Sequence, residues 1–214
     1  MFDFIKKALM GSITPPAAAR VLEKPEDLEI GDIITFRFLP QATLSGKNFQ
    51  VTAIHTLDFK QGEFTHFTLQ GENSQPIDLT WHENDGEILL AIRQKIKRET
   101  VDTLFGLEAF SAIFEEGNFI DLARQGTVAG LEGWLADNYH KSIDCRKGYL
   151  HAGDYRGREL LRFEDESEGL DYYLLVDKTE AFGVEVEVYN DGESEAYITV
   201  YCPCSIIESM WPGK

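Results

Sequence analysis

A glycine-bearing segment, residues 149–158, holds the most unusual set of potential contact groups in the chain. Its glycines at 153 and 157 free the backbone, while the other side chains offer charge, hydrogen bonds and aromatic surface, as binding loops often do. The candidate contact residues are His151, Asp154, Tyr155 and Arg156. We predict that they bind a ligand or partner. The alternative is an ordinary turn in which Asp154 and Arg156 pair with each other.

A row of carboxylates near the C-terminus is the second candidate site. Residues 183–189 alternate valine with glutamate, which predicts a strand with two distinct faces. The turn at 190–192 and the alternation after it place Glu195 on the same face as Glu185 and Glu187. We predict that this face lies in solvent and attracts a cationic protein or a polyamine. A simply solvated acidic face and an acidic mimic of nucleic acid are the alternatives.

Other acidic and metal-binding residue types are present without a diagnostic spacing. A further acidic group precedes the last strands and comprises Glu164, Asp165, Glu166 and Glu168. The three cysteines, Cys145, Cys202 and Cys204, lack the paired spacing of a zinc site and predict reduced thiols. The five histidines show no metalloprotease spacing. We therefore expect no metal, cofactor or disulfide.

Sequence signatures of catalysis are also missing. The chain has no phosphate-binding loop, no dinucleotide fingerprint and no nucleophile elbow. A catalytic site assembled from distant positions leaves no such signature, so an enzyme with a dispersed site around residues 149–158 remains the rival interpretation. The leading prediction is a non-catalytic cytoplasmic binding or adaptor protein, with no catalytic residue assigned.

The charge of the chain restricts its partners. A formal net charge of −17 repels phosphate backbones, so we expect no direct binding of nucleic acid. No stretch has the roughly 20 apolar residues that a transmembrane helix needs, and residues 1–10 lack the apolar core of a secretory signal. Phe2, Ile5 and Leu9 recur at helical spacing, which allows a weak peripheral contact with a membrane.

The hydrophobic pattern predicts an α+β, β-rich fold in which two antiparallel sheet or small-barrel units are joined by a helical segment. Residues 1–25 form an N-terminal segment and linker, and 26–98 form a β-rich unit, a small barrel or rolled sheet. Residues 99–140 form the helical connection, with helices over 103–117 and 127–139. Residues 141–214 form the second antiparallel β unit.

The turn at 190–192 has two consequences for the fold. If the loop has three residues, Val184 lies opposite Ile198 and the valines share one face. The three turn residues and the glutamate after them, 190–193, have the same sequence as residues 84–87. The same offset places residues 66–69 on 172–175. A duplication is therefore suggested, but the alternation opposes it, because Leu79 and Trp81 would align with Glu185 and Glu187.

The chain resembles bacterial proteins of unknown function at Leu28, at Gly31 and Asp32, at 172–177 and at 206–212. Members of such families are often encoded near phage-shock-type membrane-stress proteins and polyamine-conjugating enzymes. The resemblance implies a bacterial accessory protein. It brings no catalytic residues to this sequence.

Overall fold

The computed structural model describes residues 20–72, 74–84, 87–115, 117, 120–158, 160 and 167–213, with only the backbone at 83 and 84. Several predicted features lie outside these residues. They are the N-terminal helix with Phe2, Ile5 and Leu9, the turn residues 85 and 86, and the acidic residues 164–166.

Strands dominate the described chain. In order they are β1 (Ile33–Phe36), β2 (Asn48–Phe59), β3 (Gly62–Gly71), β4 (Ile77–Asn84), β5 (Glu87–Ile96), β6 (Asp121–Ala123), β7 (Asn138–Ala152), β8 (Ser167–Val176), β9 (Phe182–Tyr189), β10 (Ser194–Pro203) and β11 (Ile207–Trp211). Two α-helices, α1 (Arg98–Phe105) and α2 (Leu107–Ser111), follow β5, and short 3₁₀ turns lie at Pro25–Asp27, Ala112–Phe114 and Cys204–Ile206. Among the described residues, no helix is both long and apolar enough to cross a membrane.

All eleven strands belong to one antiparallel sheet in the order β11-β1-β2-β3-β4-β5-β10-β9-β8-β7-β6. An additional pairing of β2 with β7 joins the ends of the central eight strands and closes them into a ring. The β-rich character is therefore confirmed, but the prediction of two separate sheet units is wrong. Each four-stranded half would expose unpaired backbone groups at its edges, and joining β5 to β10 and β2 to β7 satisfies them.

Alternation along the strands divides the side chains of the ring between an inner and an outer face. Two cavities are each lined by side chains from all eight strands, which identifies the face they share as the inside of the ring. The outer face carries the main apolar core, which is covered by α1, α2, β1 and the connecting loops. Buried outer residues include Phe67, Leu79, Ile92, Val184 and Ile198. The outer shell therefore provides most of the hydrophobic packing, and the inside combines polar groups with a smaller apolar cluster that includes Leu57, Phe59 and Tyr172.

The helical connection is shorter than predicted. Gly106, in the left-handed region with φ 73°, separates α1 from α2. The predicted helix over 127–139 is wrong, because residues 124–137 form turns and Gly130 and Gly133 have φ values of 87° and 78°. The apolar side chains of this segment still contribute to the core: Trp134 is fully buried and donates its indole N–H to Thr43 at 2.9 Å.

The hairpin of β9 and β10 has the predicted register. Val184 lies opposite Ile198, and the amide of Tyr189 donates to the carbonyl of Glu193 around a three-residue loop. Asn84 pairs with Glu87, so the β4–β5 loop is one residue shorter. Because of this difference, residues of β4 and β9 that are 106 positions apart in the sequence point to opposite faces of the sheet.

The loop difference bears on the internal repeat. The repeated segments 66–69 and 172–175 lie in β3 and β8, the second strands of the two four-stranded halves. With one additional residue in the β9–β10 loop, Leu79 aligns with Val184 and Trp81 with Val186. The mismatch of Leu79 with Glu185 follows from that additional residue, so it no longer opposes a common origin of the two halves.

Candidate functional site

A buried ion cluster occupies the middle of the ring. Arg93 of β5 lies 2.5 Å from a carboxylate oxygen of Glu187, 3.2 Å from one of Glu185 and 3.3 Å from one of Asp78. Its guanidinium also stacks over the ring of Tyr197 at 4.0 Å. Thr199 donates its hydroxyl hydrogen bond to Glu185. The cluster fixes four neighbouring strands to one another on the inside of the ring.

The prediction that Glu185 and Glu187 face solvent is therefore wrong. Glu185 is 5% exposed and Glu187 is 1% exposed. Their alternation with the valines is correct, but ring closure turns the glutamate face inward and covers the valine face with the outer shell. Glu195 is half-buried and pairs with Lys95. These three residues do not form an exposed surface on which a cationic protein docks.

Electrostatics favour the charged form of Arg93. Burial by itself opposes the charge, but the nearby carboxylates of Glu187, Glu185 and Asp78 outweigh it and raise the pKa of Arg93 well above its ordinary value. The inside of the ring therefore contains a permanent cation held by three carboxylates.

The ion cluster separates two cavities at opposite ends of the ring. The larger, which we call the wide mouth, has a volume of about 510 Å³. Six carboxylates line it, from Asp78, Glu168, Glu187, Asp191, Glu193 and Glu195. His55 and Arg93 are the basic groups on its described wall. The wide mouth is therefore a strongly acidic recess.

The smaller cavity, which we call the inner cavity, has a volume of about 100 Å³. One side of its wall is apolar and aromatic: Phe59 lies 5.8 Å from Phe64 and 5.3 Å from Tyr172, measured between ring centroids. The polar part of the wall contains His66, His82, Thr80, Arg146, Glu185 and Tyr201. A cavity with an apolar wall and a few convergent polar groups is typical of a small-molecule site.

Two polar atoms of the inner cavity have no hydrogen-bond partner among the described residues. They are Nδ1 of His66 and Oγ1 of Thr80, and these residues are only 4% and 6% exposed. An unsatisfied buried polar atom costs about 1–3 kcal/mol, so native proteins seldom retain one. Both atoms belong to side chains on the wall of the inner cavity.

Histidines of the inner face are kept neutral by their surroundings. Burial, and next the positive charge of Arg93, lower the pKa of His66 well below its ordinary value. Burial also lowers the pKa of His55 and of His82. The ring of His55 stacks on that of His66 at 5.3 Å. A neutral His66 can donate or accept a hydrogen bond at Nδ1, according to its tautomer.

Arg146 reaches the inner cavity because β7 is irregular. Ile143 pairs with Leu174 and Arg146 with Tyr172, so three residues of β7 span only two of β8. Without this bulge, Arg146 would point to the opposite face from Ile143. Cys145 within the bulge has a φ of 45°, a strained conformation for a non-glycine residue that costs on the order of 1–3 kcal/mol. The bulge therefore places the guanidinium of Arg146 on the inner face of the ring.

The loop at 153–158 acts as a structural clasp. Arg156 pairs with Asp154 at 2.5 Å, and it also donates to the carbonyls of Glu26 and Leu28. The hydrogen bonds from Arg156 lower the pKa of Asp154. The Arg156 guanidinium also lies 5.2 Å from the ring centroid of Phe67 on the outer face. The predicted alternative, an internal Asp–Arg pair, is what the structure contains.

The other two predicted contact residues also lie on the outside of the ring. His151 is buried, and its ring meets that of Tyr155 edge to face at 5.5 Å. Its Nε2 has no hydrogen-bond partner among the described residues. The structure thus brings His151 to Tyr155 and Asp154 to Arg156, and Arg156 in turn holds the backbone at 26–28 in place. None of the four lines the inner cavity or the wide mouth.

Sequence reasoning missed the residues that line the inside of the ring. Arg93 directly follows the apolar run 88–92 of β5, but Gln94 and Lys95 come after it, so its burial gives no clear sequence signal. His66, Thr80 and Arg146 give no signal either, because only the ring closure and the bulge determine where they point. Within the described ranges, no group of three or more His, Cys, Asp or Glu side chains is arranged to hold a metal ion.

Comparison with family models, with curated proteins and with solved structures finds no match for this chain.

Proposed function

We propose that this chain is a non-catalytic binding protein that holds a small molecule in the inner cavity of its eight-stranded ring. One observation carries the proposal: the two buried polar atoms that lack a partner among the described residues, on His66 and Thr80, belong to side chains on the wall of the same cavity. A bound molecule that bonds to both removes two desolvation penalties at once. The three free thiols are consistent with a cytoplasmic location for this binding.

The size of the cavity limits the ligand. A volume of 100 Å³ corresponds to about three water molecules at roughly 30 Å³ each. A molecule of about five non-hydrogen atoms fits, and at a ceiling of about 1.5 kcal/mol per atom it binds no more tightly than roughly micromolar. We therefore expect dissociation constants from micromolar to millimolar.

Ligand-observed NMR tests this proposal. The purified protein is mixed with a panel of small carboxylates, amides, alcohols and amines, and saturation transfer from protein to ligand is measured. Ala91→Leu fills the inner cavity, because Ala91 is buried on its wall. Ala152→Leu is the matched control, since Ala152 lines the wide mouth.

We expect at least one class to bind the native protein and the Ala152→Leu variant but not Ala91→Leu. The proposal is overturned if no class binds the native protein, or if Ala91→Leu binds as the native protein does. Should Ala91→Leu fail to fold, binding in the inner cavity is measured instead in the native protein, as a shift of the side-chain NMR signals of His66 when the small molecule is added. If those signals do not shift, the proposal is overturned.

A second candidate function is the binding of a polyamine in the wide mouth. The observation that favours it is the excess of six carboxylates over two basic groups on that wall. Spermidine titration of the native protein, with Glu193→Gln as the variant, tests it. Salt-sensitive binding that Glu193→Gln weakens supports this function, and the same affinity in both proteins contradicts it.

A further inference from the structure

The inner cavity contains a positive charge that no carboxylate among the described residues pairs with. The Arg146 guanidinium lines the cavity and lies 5.7 Å from the ring centroid of Phe59. Among the described residues, no carboxylate lies within salt-bridge distance of it. Its neighbour in sequence, Lys147, points to the outside and pairs with Asp171 at 2.5 Å. The inward-pointing base of this strand is thus left without the counter-charge that the outward-pointing base has.

Glu185 does not supply the missing charge. It also lines the inner cavity, but its carboxylate lies 3.2 Å from Arg93 and accepts a hydrogen bond from Thr199. Both of its oxygens are therefore engaged by the ion cluster. The wall of the inner cavity carries one negative charge, on Glu185, and one positive charge, on Arg146. Because the ion cluster engages Glu185, the charged group that is left for a ligand is Arg146.

The rest of the wall specifies the other end of the ligand. His66 Nδ1 and Thr80 Oγ1 each need one hydrogen bond, which a hydroxyl or carbonyl group provides. Leu57, Phe64 and Leu174 complete the wall and suit a short hydrocarbon body. Arg is the residue that binds carboxylates best, because its planar guanidinium offers two parallel donors.

We infer that the molecule held in the inner cavity is a short-chain carboxylic acid carrying a hydroxyl or carbonyl group, with its carboxylate on Arg146 and its second oxygen on His66 and Thr80. This inference rests on the proposed function. The net charge of −17 opposes an anion at long range, but charges are screened beyond about 10 Å at 0.1 M salt. The contact with Arg146 is local and is affected far less.

Titration calorimetry on the full chain tests the inference. The probes are lactate, its uncharged isostere lactamide, and propionate, which keeps the carboxylate but lacks the hydroxyl. We expect lactate to bind at least about tenfold more tightly than lactamide, as one charge-assisted hydrogen bond requires. Thr80→Val should weaken lactate more than propionate, because only lactate offers the hydroxyl.

Variants at Arg146 identify the anchor. Arg146→Gln should weaken lactate about tenfold or more, and Arg146→Lys, which keeps the charge, should recover part of that loss. Lys147→Gln is the matched control and should bind as the native protein does, because Lys147 lies outside the ring. Circular dichroism establishes that each variant is folded.

The outcomes separate this inference from the function on which it rests. If lactamide binds as tightly as lactate, or if Arg146→Gln binds as the native protein does, the carboxylic acid assignment is wrong and small-molecule binding stands. If amines bind the native protein in preference to acids, the ligand class is also refuted. If none of the acids, amides, alcohols or amines binds, the proposed function itself fails.

Discussion

Replacing Arg93 tests how strongly the buried ion cluster in the middle of the ring stabilises the protein. Arg93→Met removes a cation that is 3% exposed and contacts three carboxylates, of which Glu185 and Glu187 are almost fully buried. Breaking a buried ion pair in this way costs about 3–5 kcal/mol, because it leaves charge without compensation. Lys95→Met is the control, since Lys95 is half-exposed and its pair with Glu195 contributes about 0–1 kcal/mol.

The assay is urea unfolding followed by tryptophan fluorescence. With a slope of about 2–3 kcal/mol per molar urea, Arg93→Met should lower the midpoint by roughly 1–2 M, whereas Lys95→Met should change it little. Without Arg93, burial disfavours the ionised form of the stranded carboxylates. Protonation as the pH falls then relieves part of the penalty. The deficit of Arg93→Met relative to the native protein should therefore be smaller at pH 5 than at pH 8.

Two results would refute this reasoning. One is a loss of stability for Arg93→Met that is no larger than that for Lys95→Met. The other is a deficit that does not change with pH. Adding Glu187→Gln to Arg93→Met removes one of the stranded charges and should recover part of the lost stability, which separates charge burial from loss of packing.

Three further changes test other parts of the structure. Thr80→Val should stabilise the ligand-free protein by about 1 kcal/mol, because it removes an unsatisfied hydroxyl. Thr199→Val should destabilise it by about 1–3 kcal/mol, because Glu185 loses a hydrogen bond. Equal effects of the two variants in urea unfolding would contradict this. Arg156→Met should open residues 20–28 to limited proteolysis, with Arg158→Met as the control, and unchanged cleavage would rule out the clasp. Because burial lowers the pKa of His66, the unfolded chain takes up a proton below about pH 6.5 that the folded protein does not, so stability falls as the pH falls, by at most about 1.4 kcal/mol per pH unit for this group. His66→Gln should make that slope shallower in urea unfolding, and an unchanged slope would contradict the burial of a neutral His66.

The strands were predictable from the sequence because alternation is a local property. The register of Val184 opposite Ile198 followed from the turn chemistry at 190–192, and the first five strands lie within the β-rich stretch predicted at 26–98. The strand β7 was missed because its register shifts twice, near Lys141 and between Ile143 and Arg146, so its residues do not alternate regularly. That same irregularity positions Arg146.

Which face of each strand lies inside was not predictable. Alternation shows that Glu185 and Val184 point in opposite directions, but only the pairing of β2 with β7 determines which direction is inward. That pairing joins segments far apart in the sequence. The backbone groups at the edges of the two four-stranded halves are all hydrogen-bonded only when β2 pairs with β7 and β5 pairs with β10. The inner cavity depends on this closure, so no local pattern could indicate His66 or Thr80 as site residues.

The most direct test of the account is a crystal structure of the native protein grown with a saturating concentration of lactate. The account predicts density for one molecule inside the ring, with its carboxylate on Arg146 and its hydroxyl within hydrogen-bond distance of His66 Nδ1 or Thr80 Oγ1. A ring whose inner cavity contains only water under these conditions, or lactate bound elsewhere on the surface, would contradict it.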